Sequence, residues 1–234
     1  MDAQTKLLES YILGAWFIKI RLVSSRRQLW APETSIIHLE NAALQLRKIC
    51  EMLAYLCIAA AGIEGYKAPR SLKGYQVGNV IRHLNKNGAL KFPQLARLEK
   101  NDDPNSMADW TLNINSPTEA DMQRVELIHE RTHRVLHEMS PFAEFFNLED
   151  QKVSLAHGLN AIRSDHQWLW NRLWQHAVTL NEAIFFINLG DNFNSDRPQI
   201  IKHEKLHPGE LTVNFDPDWL ADFTGSINWT EFDN

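Results

Sequence analysis

The chain has 234 residues, of which 44% are hydrophobic and 23% charged. That is one large domain, or one domain with an appendage, able to build an ordinary soluble core. Its formal charge of −5 excludes a uniformly basic nucleic-acid coat, and the apolar run Tyr11–Val23, broken by Lys19 and Arg21, is too short and too charged for a membrane span. The first residues, MDAQTK, lack the basic region of a signal peptide, so a cytoplasmic protein with no membrane association is expected.

In chain order, Thr5 to Gln28 reads as a first helix, with Leu8, Ile12, Ala15, Ile18 and Leu22 on one stripe. Arg21, Arg26 and Arg27 near its end complement the helix dipole and need no functional account. A second helix runs from Pro32 to about Ala61, stopped by Gly62 and Gly65. Its stripe Leu39, Ala43, Leu46, Cys50, Leu53, Cys57 and Ala60 is accompanied by Ile49, Leu56, Ile58 and Ala59 off the stripe. Such a helix is buried on more than one side, at the centre of a bundle or against a second copy. Cys50 and Cys57 would lie about 10 Å apart along it, too far to bridge, and read as buried thiols.

Tyr66–Lys100 is rich in turn residues, with a short helix around Gln76–Asn85, and Glu99–Ser116 reads as a loop through Pro104 and an Asn/Asp-rich run. Ser116 with Glu119 forms a capping box, with Pro117 at the first helical position, for a helix ending at Ser140-Pro141. The next helix spans roughly Gln151 to Thr179. Leu155, Leu159, Ile162, His166, Leu169, Leu173, His176 and Leu180 keep its three-four spacing, and Trp168, Trp170 and Trp174 broaden its apolar face. Ala183–Leu189 and Gln199–Leu206 read as two strands about the turn GDNFNSD, followed from Pro208 by an acidic tail carrying Trp219, Phe223 and Trp229. The expected fold is mainly α: an antiparallel helical bundle over residues 1–180, with a small C-terminal β-hairpin and tail over 181–234 packed on it.

Charge is unevenly placed. Lys67, Arg70, Lys73, Arg82, Lys86, Lys91 and Arg97 fall in Lys67–Leu98 without one acid, whereas Glu204 to the end carries seven acids and only Lys205. A local basic surface can hold a polyanion despite a negative total. A solvated helix and loop face accounts for the same residues.

The central helix carries the chemistry, and three readings of it compete. His129-Glu130-Arg131-Thr132-His133 fits H-E-x-x-H, with His137 a further turn on, so zinc held by His129 and His133 with Glu130 as base is one reading. Arg131 would then place a cation beside the metal, and the preceding elements are helices, not the sheet over which zincins place this motif. A second reading is structural: Glu130–Arg134 and Arg134–Glu138 are spaced as ion pairs on a wet face, while His129, His166 and His176 fall on core stripes.

The third reading is R-x5-H, formed by Arg131 and His137; Arg124/His129 and Arg197/His203 also fit the looser spacing R-x4-6-H. The segments LRKICEMLAYLCIAAAG, NGALKFP and RTHRVLHEMSPF, the last followed by a long helix and hairpin, resemble poorly described bacterial members of the HEPN superfamily (higher eukaryotes and prokaryotes nucleotide-binding). The resemblance covers most of Leu39–Leu206. It implies a metal-free endoribonuclease of the toxin or phage-defence kind, needing no cofactor, with Arg131 and His137 as catalytic residues and two copies facing each other. Thr132 departs from the polar amide or acid that often follows the family's arginine. Arg134 and the basic residues Lys67, Arg70, Lys73, Arg82 and Lys86 are the expected RNA contacts. The rival is a non-catalytic adaptor or sensor in a defence complex, bound to an antitoxin-like or other partner protein through the hairpin edge and the aromatic tail.

Overall fold

The computed structural model describes residues 3–69, 72, 76–100, 110–138, 148–180, 183–190 and 199–204. These are mainly helical, with a small antiparallel sheet. The helices are α1 (Ala3–Leu29), α2 (Ile36–Ile63), α3 (Val77–Lys86), α4 (Glu119–Glu138) and α5 (Leu148–Leu173); the strands are β1 (Gln94–Lys100), β2 (Trp110–Asn115), β3 (Gln175–Leu180), β4 (Ala183–Asn188) and β5 (Gln199–Glu204). No helix of the described residues is long and apolar enough to cross a membrane.

α2 is the hub, packing on each of the other four helices. Leu39, Leu46, Ile49, Leu53, Cys50 and Cys57 are fully buried, which accounts for a helix apolar beyond a single stripe. Each Leu or Ile so buried contributes about 1.5–3 kcal/mol. Both cysteines are free thiols, and burial pushes Cys57 up to about 12 and Cys50 higher still, so they are core residues in chemistry as well as position. Lys19, whose charge interrupts the apolar run of α1, is buried with its ammonium 5.9 Å from the ring centres of Trp16 and Trp174.

Helix ends follow local chemistry. α2 starts after Ser35 and not at Pro32, because the Ser35 N–H donates to Nδ1 of His38, the ring standing where a glutamate usually closes a capping box. It ends at Gly65 (φ 87°), with Gly65 N–H donating to Gly62 O and Tyr66 N–H to Ala61 O. α3 repeats that termination at Gly88 (φ 64°), where only glycine is unstrained. The cap of α4 is Thr118 with Asp121, one position pair later than Ser116 with Glu119: Thr118 N–H donates to Asp121 Oδ2 at 2.8 Å, and Asp121 N–H donates back to Thr118 Oγ1 at 3.3 Å.

Two segments differ from expectation. The helix expected to Thr179 ends at Leu173, and Gln175–Leu180 is strand β3. Residues expected as turns and loop supply β1 and β2, paired from Leu95↔Asn115 to Lys100↔Trp110. The sheet order is β2-β1-β3-β4-β5, every neighbouring pair antiparallel. Ala183–Asn188 and Gln199–Glu204 do pair, as one end of this five-stranded sheet, and the β3–β4 register runs from Leu180↔Ala183 to Gln175↔Asn188. On one sheet face Val178, Leu180 and Ile187 join the helical core; on the other, Ala96, Ala177 and Phe186 form a small cluster with Leu112, Ile114 and Ile184. The tail from 205 lies outside the described residues.

Candidate functional site

α4 faces three neighbours, and its polar residues divide among them. Toward α5, Asp165 is a fully buried carboxylate that accepts from Arg124 Nη2 at 2.8 Å and from Arg131 Nη1 at 2.5 Å. Burial raises the Asp165 carboxyl above the usual range even with both guanidinium groups lowering it. One turn lower, Asp121 pairs with Arg172 of α5. Burial alone would raise the Asp121 carboxyl, but hydrogen bonds from Thr118 and the charge of Arg172 take it below the ordinary range.

Toward α2, His129 and His133 meet Arg47 and Glu51. Glu51 accepts from Arg47 Nε at 3.2 Å and Lys48 Nζ at 2.7 Å, and its Oε1 lies 3.8 Å from His129 Nε2. Arg47 Nη1 lies 3.1 Å from His133 Nδ1. Since arginine can only donate, that nitrogen is the acceptor, and a neutral His133 ring carries its proton on Nε2. His137 is exposed one turn on, its ring centre 4.2 Å from that of His133. Burial and then the Arg47 charge lower the His129 pKa, so His129 is neutral near pH 7.

The expected site residues are therefore placed as follows. Arg131 engages Asp165, and His137 lies against His133; among the described residues no hydrogen bond joins the two. Their six-residue separation puts them about 120° apart around an ideal helix. Glu130 and Arg134 are exposed, and no ion pair joins them among the described residues; the Glu138 side chain lies outside these. Lys67, Lys86 and Arg82 are exposed, Arg82 reaching Asn79 Oδ1 at 2.8 Å and Glu126 Oε1 at 3.3 Å through Nη2 alone. Arg70 and Lys73 lie outside the described residues.

His129, His133 and Glu130 do not converge. Among the described residues no group of three or more His, Cys, Asp or Glu side chains is arranged to hold a metal ion, and His133 Nδ1 is occupied by a guanidinium. His166 and His176 are buried, His166 against Leu22 O at 3.0 Å and His176 against Leu173 O at 2.8 Å, which matches a structural role for both.

No family model matches the chain, and no curated protein or solved structure matches it. The chemistry must be judged from the side chains alone. Arg47, Glu51 and Asp165 are the members of this constellation that sequence spacing does not reveal, because they reach α4 from α2 and α5. What α4 and α2 present to solvent is two adjacent imidazoles beside a guanidinium, which can move protons at, and place positive charge on, a bound phosphate.

Proposed function

We propose that the chain is a metal-independent endoribonuclease of HEPN-like architecture, a helical bundle working in toxin or phage-defence settings. The observation carrying this reading is His137, a solvent-open imidazole with no hydrogen-bond partner among the described residues, in ring contact with a second imidazole. One imidazole takes the proton of a ribose 2′-hydroxyl as its oxygen attacks the adjacent phosphorus. An imidazole returns a proton to the departing 5′-oxygen, leaving a 2′,3′-cyclic phosphate and a free hydroxyl. Arg131 has its Nη1 edge on Asp165 and 29% of its side chain accessible, so the carboxylate orients a guanidinium whose remaining donors can face an anion.

Two copies complete the site in this proposal. Ile37, Leu44 and Tyr55 of α2, spaced by seven and eleven residues, form an exposed apolar stripe, and Leu127 of α4 is exposed as well. A stripe of that kind fits a second copy laid against α2 and α4, bringing two Arg131–His137 sets to one groove. Arg134, Lys67 and Lys86 supply backbone contacts to RNA.

A second reading draws on a different observation. Arg131 is tied to a buried carboxylate, as a structural arginine would be, and the same apolar stripe fits a partner protein. The chain is then a non-catalytic adaptor or sensor of a defence complex. RNA cleavage with chelator present, wild type against His137→Ala, separates the two. Chelator-resistant cleavage lost in the variant supports the ribonuclease; cleavage abolished by chelator revives a metal mechanism; absence of cleavage in both proteins leaves the adaptor.

A further inference from the structure

We infer that Arg47 of α2, together with His133 and His137 of α4, forms a phosphate-binding site, with Arg47 as its guanidinium ligand. The identification of that phosphate as part of an RNA backbone rests on the ribonuclease reading; the site itself does not.

The guanidinium is held on two sides. Nε donates to Glu51 and Nη1 to His133 Nδ1, while Nη2 has no protein partner among the described residues, and 29% of the side chain reaches solvent. Two bonds fix the plane of the fork and leave its outer edge open, the arrangement in which an arginine takes a phosphate oxygen with little ordering cost. The negative charge of Glu51 is shared with Lys48, whose ammonium lies 2.7 Å from it, so Glu51 does not cancel Arg47. A helix-surface ion pair explains Arg47 beside Glu51. It does not explain a guanidinium that also donates to a histidine nitrogen.

The histidines supply the complement. With Nδ1 of His133 accepting from Arg47, its Nε2 proton points to the opposite side of the ring, and His137 stands beside it, in ring contact and exposed. Arg134, also exposed, follows His133 directly on the same helix. An anion on the open edge of Arg47 meets that guanidinium, with the exposed His133 and His137 rings beside it. Arg47 is therefore a binding residue of the same surface on which His137 would transfer protons, reached from another helix and independent of Arg131.

The test uses the full chain and histidine side-chain NMR. Sodium phosphate is titrated against chloride at matched ionic strength, followed by a dinucleotide whose 2′-hydroxyl is replaced by hydrogen so that it cannot be cleaved. Saturable shifts of the His133 and His137 signals with phosphate, and binding about tenfold weaker in Arg47→Gln, are the expected result. Arg47→Lys should retain part of the binding, and unchanged His166 and His176 signals in each variant certify the fold. Saturation by the dinucleotide as well extends the site to diesters; saturation by inorganic phosphate alone confines it to free phosphate or monoesters. Shifts no different from chloride, or unaltered affinity in a folded Arg47→Gln, overturn the proposal. Phosphate binding without RNA cleavage would instead defeat the ribonuclease reading and leave this site standing.

Discussion

Arg131 and Asp165 meet at 2.5 Å across the α4–α5 interface, the carboxylate fully buried and the guanidinium partly open to solvent. Arg124 holds the other oxygen of the same carboxylate. Losing either arginine leaves Asp165 with one partner, but losing both strands a buried charge, a situation that costs about 3–5 kcal/mol. Arg124→Ala/Arg131→Ala should therefore lose more stability than the two single changes added together. Adding Asp165→Asn to that double variant should recover part of the loss. Urea midpoints of the four proteins and wild type measure it, and simple additivity would refute the shared-anchor account.

His176 predicts the acid limb of stability. Burial lowers its pKa from about 6.5 to about 4, its hydrogen bond to Leu173 O opposing only in part. Above the unfolded value the ring is neutral in both states and its contribution is complete. Between that value and pH 4 the unfolded chain takes up a proton that the folded chain refuses, so stability falls as pH falls, by about 3 kcal/mol in total. His176→Phe should flatten the difference in urea midpoint between pH 7 and pH 4.5. Some slope should persist, because His166, Glu51 and Asp121 are also held below their ordinary values.

A third prediction concerns Gly78 in the first turn of α3. A Cβ there would collide with the carboxylate of Glu126, which is paired with Arg82. With Glu126 present, Gly78→Ala should be neutral or mildly destabilising, since the carboxylate must swing away. In a Glu126→Ala background the same change should stabilise by about 0.5–1 kcal/mol, the ordinary helical advantage of alanine. Chemical denaturation of the four proteins of the cycle checks the change of sign.

Gly14 is tighter and offers less escape. Its Cβ would stand 2.5 Å from Cδ2 of Leu56, a buried side chain in the α1–α2 seam. Gly14→Ala should cost about 1–3 kcal/mol by overpacking. Shortening the neighbour in Gly14→Ala/Leu56→Val should relieve part of that cost, read as a partial return of the melting temperature.

Helices α1, α2 and α4 were legible in the sequence because apolar spacing holds over long stretches, although the starts expected at Pro32 and at Ser116 with Glu119 lie at Ser35 and at Thr118 with Asp121. The end of α5 was not. His176, Val178 and Leu180 fit a strand's alternation as well as the last turns of a helix, and pairing with β1 and β4 decides between them. β2 carried a signal that its polar surroundings obscured: Leu112 and Ile114 alternate with Thr111, Asn113 and Asn115. At the site, the face shared by His129, His133 and His137 follows from four-residue spacing. Their partners do not, since Arg47 precedes His133 by 86 residues and Asp165 follows Arg131 by 34. Spacing within one helix describes a face; only tertiary packing says what opposes it.

The pairing of Leu95 with His176 has a consequence for biosynthesis. A ribosome elongating at about 5–20 residues per second completes Leu95 roughly 4–16 s before it reaches His176. Throughout that delay the inner border of β1 offers unmatched amide and carbonyl groups to whatever strand comes near, from the same polysome or from a chaperone. A translational stall or premature stop ahead of Gln175 would make that interval permanent and yield an association-prone fragment.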